Sequence, residues 1–183
     1  MAVRRRTWVG LVVAVLVVLA AVTLIWFQPQ KLFYDERVDE ALPGVTAGSA
    51  APSGGTAGTA TAGTATAAEP VDLAVGTFVS REHETTGTVR VLQLPDGRIV
   101  VRFEDFATSN GPQLVVWLSG NPATGDDDAF DDDHLDLGPL SGNVGDQNYA
   151  VPAGTDVTAY TSVVVWCDRF DVSFGAADLR ATV

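Results

Sequence analysis

Twenty consecutive residues without a charge, Trp8 to Phe27, follow the triplet Arg4-Arg5-Arg6 near the start of the chain. As a helix, such a run is about long enough to cross the ~30 Å hydrocarbon layer of a bilayer. Trp8 stands at one end, and Trp26 and Phe27 at the other, where interfacial aromatics are favoured. The arginines are expected to stay in the cytoplasm, which puts everything after Phe27 outside. A cleaved signal peptide is the competing reading. Its apolar core is usually ~7–15 residues long and ends at small residues. Here Ile25, Trp26 and Phe27 close the run, so an uncleaved signal-anchor of the plasma membrane is the expectation.

The rest divides by composition. Residues 1–7 form the cytoplasmic end, 8–27 the anchor and 28–42 a juxtamembrane segment that mixes Leu32, Phe33 and Tyr34 with charges. Residues 43–69 are almost all Ala, Gly, Thr, Ser and Pro. With no apolar side chain larger than Val45, that stretch cannot offset its ordering entropy and reads as a flexible, disordered linker. Residues 70–183 carry the alternating apolar pattern and are enough for one domain without disulfides or metals.

That domain is strongly acidic. From residue 70 onward it has 18 Asp and Glu against 6 Arg and no Lys, which gives 6 − 18 = −12, the formal charge of the whole chain. Such a surface repels phosphate backbones and excludes nucleic acid as a partner.

Short β-rich runs separated by turn signals predict an all-β sandwich or barrel. Candidate strands are Leu73 to Ser80, Thr88 to Leu94, Arg98 to Phe103, Gln113 to Ser119, Asn148 to Val151, Val157 to Tyr160, Ser162 to Cys167 and Phe170 to Phe174. Pro95-Asp96-Gly97 is a strong hairpin turn. Ser162 to Cys167 is apolar on both faces and reads as a central strand, with Val163, Val165 and Cys167 sharing one face. No helical period is evident beyond the anchor.

Enzyme motifs are missing: no GxSxG, no phosphate-cradling glycine loop, no HExxH. The domain therefore reads as a carrier or binding module rather than an enzyme. His83 and His134 sit among acids and read as solvated loop residues, with metal ligation as the alternative. Asp126 to Asp136 holds seven aspartates but fails the calcium-loop pattern. Its fifth, sixth and twelfth positions are Phe130, Asp131 and Leu137. A mobile acidic loop without a cationic partner is expected there.

Cys167 is the only cysteine. No internal disulfide can form, and a blue-copper site lacks the His and Met that should follow the thiolate. Two readings of this residue stand: a redox thiol or haem ligand, and a small buried core side chain. At the strand end, just before Asp168 and Arg169, it could reach the rim of the sheet.

The stretches Asp136-Leu137-Gly138-Pro139-Leu140-Ser141-Gly142-Asn143, Gly145-Asp146-Gln147-Asn148-Tyr149 and Ser162-Val163-Val164-Val165-Trp166-Cys167 resemble the DM-thirteen, or "electron transfer", domain family. So do Phe170, Val172, Phe174-Gly175-Ala176-Ala177 and Leu179, and the likeness covers about residues 72–181. The resemblance implies an electron-transfer role carried by Cys167, as a bare thiol or by holding a prosthetic group such as haem. It leaves the cofactor unidentified and implies an unidentified redox or envelope protein as partner. The alternative is a non-enzymatic binding or structural domain with Cys167 as core.

Overall fold

The computed structural model describes residues 2–27, 35–43 and 69–182. The proposed linker, 43–69, and the first part of the juxtamembrane segment lie largely outside them. Helix α1 runs over Ala2–Phe27. Its described side chains are residue 8 and residues 10–24, all exposed. Among the described residues no helix is long and apolar enough to cross a membrane.

The domain is mostly β, in two sheets that face each other as an open sandwich. The strands are β1 (Arg37–Asp39), β2 (Val71–Thr77), β3 (Val79–Ser80), β4 (Thr86–Gln93), β5 (Ile99–Ala107), β6 (Leu114–Ser119), β7 (His134–Pro139), β8 (Val144–Ala150), β9 (Ser162–Cys167), β10 (Val172–Asp178) and β11 (Arg180–Ala181). Sheet A has the order β1-β8-β5-β4-β2-β11, and sheet B the order β3-β10-β9-β6-β7. Among the described residues neighbouring strands pair antiparallel, except β1 with β8.

Alternation builds the core. Val89, Val91, Val101 and Phe103 of sheet A meet Leu114, Val116, Leu118, Val163 and Val165 of sheet B. Phe103 anchors it, with Phe78, Phe106 and Tyr149 rings at 4.8, 5.0 and 5.2 Å. The hairpin between β4 and β5 closes as its residues dictate. Gly97 takes φ +85°, Leu94 N donates to Arg98 O at 2.8 Å, and Asp96 Oδ1 accepts from Arg98 N. Every residue of β9 is buried, as a central strand apolar on both faces requires.

Four local expectations are corrected. Val157 to Tyr160 is not a strand: Val157–Ala159 forms a 3-10 turn whose Asp156 carboxylate accepts from Thr158 N at 3.0 Å. The strand expected from Phe170 begins at Val172. Phe170 is 54% exposed in a turn where Phe170 N and Asp171 N both donate to Cys167 O. The acidic run is not a bare loop either. Asp127–Asp132 is a short helix, α2, and His134–Pro139 is the edge strand of sheet B. Its charge also finds a cation: Arg81 Nη2 lies 3.3 Å from Asp127 and donates to Gly125 O at 2.6 Å.

The described residues 35–43, ahead of the proposed linker, supply a strand of their own. Arg37, Val38 and Asp39 pair in parallel with Val144, Gly145 and Asp146 of β8.

Candidate functional site

Cys167 ends β9, opposite Leu114 of β6 and Val172 of β10. Its side chain shares the inter-sheet face with Val163 and Val165 and is fully buried and unpaired. It does not emerge at the rim. The segment before β6 crosses over it, and the thiol donates to Pro112 O at 3.2 Å. That cover is tied to the strand end by Asp168 N donating to Gln113 O at 3.2 Å and Arg169 Nε donating to Gln113 Oε1 at 2.8 Å. Pro112 is half-buried and Gln113 exposed, so the thiol lies one segment below the surface.

Burial pushes the thiol pKa up, and Asp168 adds to it; backbone N–H groups of Arg169 and Phe170, and the Arg169 charge, act the other way. A reactive cysteine needs a partly exposed, electropositive setting. With the cover in place Cys167 therefore stays a neutral thiol, and the Pro112 carbonyl is no base to take its proton.

A cavity lined in part by Glu36, Gly111, Gln113, Leu114 and Asn143 includes the covering segment; it measures about 140 Å³, and Cys167 does not line it. Sites for drug-sized ligands and cofactors run from ~300 Å³ upward. The thiol as packed does not fit an axial haem ligand. A larger cleft of about 480 Å³, bounded by Val75, Thr77, Val79, Thr88 and Arg180, also does not include Cys167.

On the opposite face of sheet B the neighbouring residue, Trp166, stacks on Trp117 with ring centres 4.8 Å apart, and Trp117 stacks on His134 at 3.8 Å. His83 packs on Phe174 at 3.8 Å. Neither histidine is a free loop residue, and among the described residues no group of three or more His, Cys, Asp or Glu could hold a metal ion. Alternation along β9 placed Val164 and Trp166 on one face. That this face has its own apolar layer under Phe130 could not be read locally, because Phe130 sits alone among aspartates.

Compared with known proteins, the sequence model of a family described as Electron transfer DM13 matches residues 77–179, a span that contains Cys167 and most of both sheets. No curated protein and no solved structure matches the chain.

Proposed function

Since the chain belongs to the electron transfer DM13 family, we propose that it is a membrane-anchored electron-transfer module whose working group is the Cys167 thiol. The observation that carries this reading is the position of the one cysteine. It lies inside the family span, at the end of the central strand, under a cover one segment thick. The anchor reading is supported by the uncharged run Trp8 to Phe27 behind three arginines, with the β domain outside the cell membrane.

A lone thiol passes electrons in two ways. It can give an electron to a one-electron acceptor while its proton is lost. Alternatively its thiolate attacks a disulfide of a partner protein, forming a mixed disulfide as the partner's other sulfur leaves as thiolate. Both need the proton to go, and neither is favoured under the Pro112 carbonyl. Working chemistry at Cys167 therefore requires residues 111–113 to lift.

A second reading is favoured by one specific observation, the complete burial of Cys167 among valines. In it the cysteine is core and the domain is a binding or structural module. Voltammetry and a visible absorption spectrum of the natively purified chain, with Cys167→Ser beside it, separate the two. The redox reading expects a reversible signal that the serine variant loses while far-UV circular dichroism is retained. A silent, colourless protein that the serine merely destabilises, by about 1–3 kcal/mol for a buried hydroxyl, would leave the core reading standing.

A further inference from the structure

The segment that leads from the anchor into the domain does not simply pass by. Its residues 37–39 pair with β8 through the main chain, and domain side chains hold it at both ends. Glu36 N donates to Asn143 Oδ1 at 2.7 Å, and Asn143 Nδ2 donates to Asp35 Oδ1 at 2.9 Å. Glu40 N donates to Asp146 O at 2.9 Å, and Glu40 Oε2 accepts from both N and Nδ2 of Asn148, at 2.9 and 3.1 Å. Arg102 Nη1 donates to Glu40 O at 3.1 Å, and Asn148 Nδ2 to Ala41 O at 3.1 Å.

The receiving edge is shaped for it. Gly142 and Gly145 form its floor. A Cβ at Gly142 would collide with Glu36 O and Val38 Cγ2, and a Cβ at Gly145, which takes φ +107°, would collide with Val38 O. The floor is braced from inside. Gln147, fully buried, donates to Gly142 O at 2.9 Å and accepts from Gly142 N at 3.2 Å, while Tyr149 Oη donates to Gln147 Oε1 at 2.5 Å. This is strand addition: main-chain pairing supplies the hold, and side-chain clamps select an extended acidic segment.

We infer that the β8 edge is an intramolecular docking groove for residues 35–41, and that this clasp sets two lengths of tether between helix and domain. Docked, only residues 28–34 separate Phe27 from the domain, at most about 25 Å of extended chain. Undocked, residues 28–69 intervene, roughly 140–150 Å at full extension. The consequence for reach rests on the anchor reading above; the docking itself does not, nor does it depend on Cys167.

The test uses the full chain in detergent, with an N-terminal affinity tag and a specific protease site placed within residues 44–68. After cleavage, pull-down of the tagged fragment should retain the 70–183 fragment. In Glu36→Pro with Glu40→Ala, both outside that fragment, retention should fall at least tenfold while the freed fragment keeps the wild-type circular dichroism and melting curve. Release of the wild-type fragment on cleavage overturns the inference, and so does equal retention by the variant, since the hold would then lie elsewhere.

Discussion

The outer face of sheet A includes Arg90, Arg102, Glu104 and Asn148, beside the buried pair Leu92 and Val100; the outer face of sheet B includes Val115, Trp117, Val164 and Trp166. Sheet A meets water through a charge lattice. Arg90 and Arg102 stand directly opposite each other, an arrangement that destabilises a sheet unless carboxylates intervene. Glu104 Oε1 bridges them, at 3.2 Å from Arg90 and 2.8 Å from Arg102, and Asp72 and Asp146 close the two ends. Sheet B is roofed instead: Phe130 of α2 and Ala123 lie over the two tryptophans as a second apolar layer. The difference explains why the acidic run can carry seven aspartates and still be ordered. Its one aromatic residue is buried, Asp127 pairs with Arg81, and its other aspartates face water.

The largest test of that contrast is Phe130→Ala. Phe130 is completely buried, and removing a fully buried phenylalanine typically costs about 3–5 kcal/mol. Denaturant unfolding should show that loss. Tryptophan emission should shift to the red as Trp117 and Trp166 lose their cover. A cost well below 1 kcal/mol with unchanged emission would mean the acidic segment is an appendage, and the two faces would not differ in the way described.

Arg102→Ala breaks the other face. Its side chain is 10% exposed and pairs with Glu104 and Asp146, while those carboxylates are 29% and 35% exposed and rehydrate once freed. The expected cost is about 2 kcal/mol, in the range for hydrogen bonds to a charged group. The emission of Trp117 and Trp166 should not change, because they lie on the far sheet. A simultaneous red shift would show that the two faces fail together. The same variant should weaken retention of residues 35–41, since Arg102 also holds Glu40 O.

These faces were unequally legible in the sequence. Where a strand alternates cleanly, as in β5, or is apolar throughout, as in β9, the pattern placed it and its faces; β4 and β6 were placed as runs. The shared face of Val163, Val165 and Cys167 came out of the same period of two. β8 was read only from Asn148, because Val144 to Gln147 offers no apolar alternation: Gly145 forms the floor under β1 and the inward position is taken by Gln147, whose amide makes buried hydrogen bonds. β7 carries Gly138 and Pro139, and β1 is three residues whose partner lies more than a hundred positions away. Neither has a local signature. At the candidate site the cover over Cys167 comes from Pro112, 55 residues earlier, so chain proximity to Asp168 and Arg169 pointed to a rim that the fold closes. α2 was hidden for a different reason. Six residues are too few to show a helical period, and the helix is fixed by Phe130 and by Arg81 rather than by its own propensity.

The smallest effect distinguishes paired from unpaired charge. At the lower rim of sheet B, Asp168 has its carboxyl pKa raised above the ordinary value, by burial first and then by Asp136 and Asp171, with His134 opposing. The folded protein therefore holds this proton more tightly than the unfolded chain does. A raised carboxyl pKa contributes stability that is fully present below the unfolded value and is lost as pH rises through the folded value. At neutral pH the ionised Asp168 is thus a small net cost. The residue is largely exposed, so solvent screening limits the effect to a few tenths of a kcal/mol. Asp168→Asn should stabilise the domain by that much at about pH 7, and the gain should vanish at about pH 3, where the wild-type carboxyl is protonated. About 1 M salt should erase it at neutral pH as well. Arg102→Ala has the opposite sign, because there a charge with partners is removed rather than a charge without them. If Asp168→Asn instead destabilises the domain at neutral pH, the carboxylate is holding the 168–171 turn. The lower rim of sheet B would then be built from paired charge, as the outer face of sheet A is.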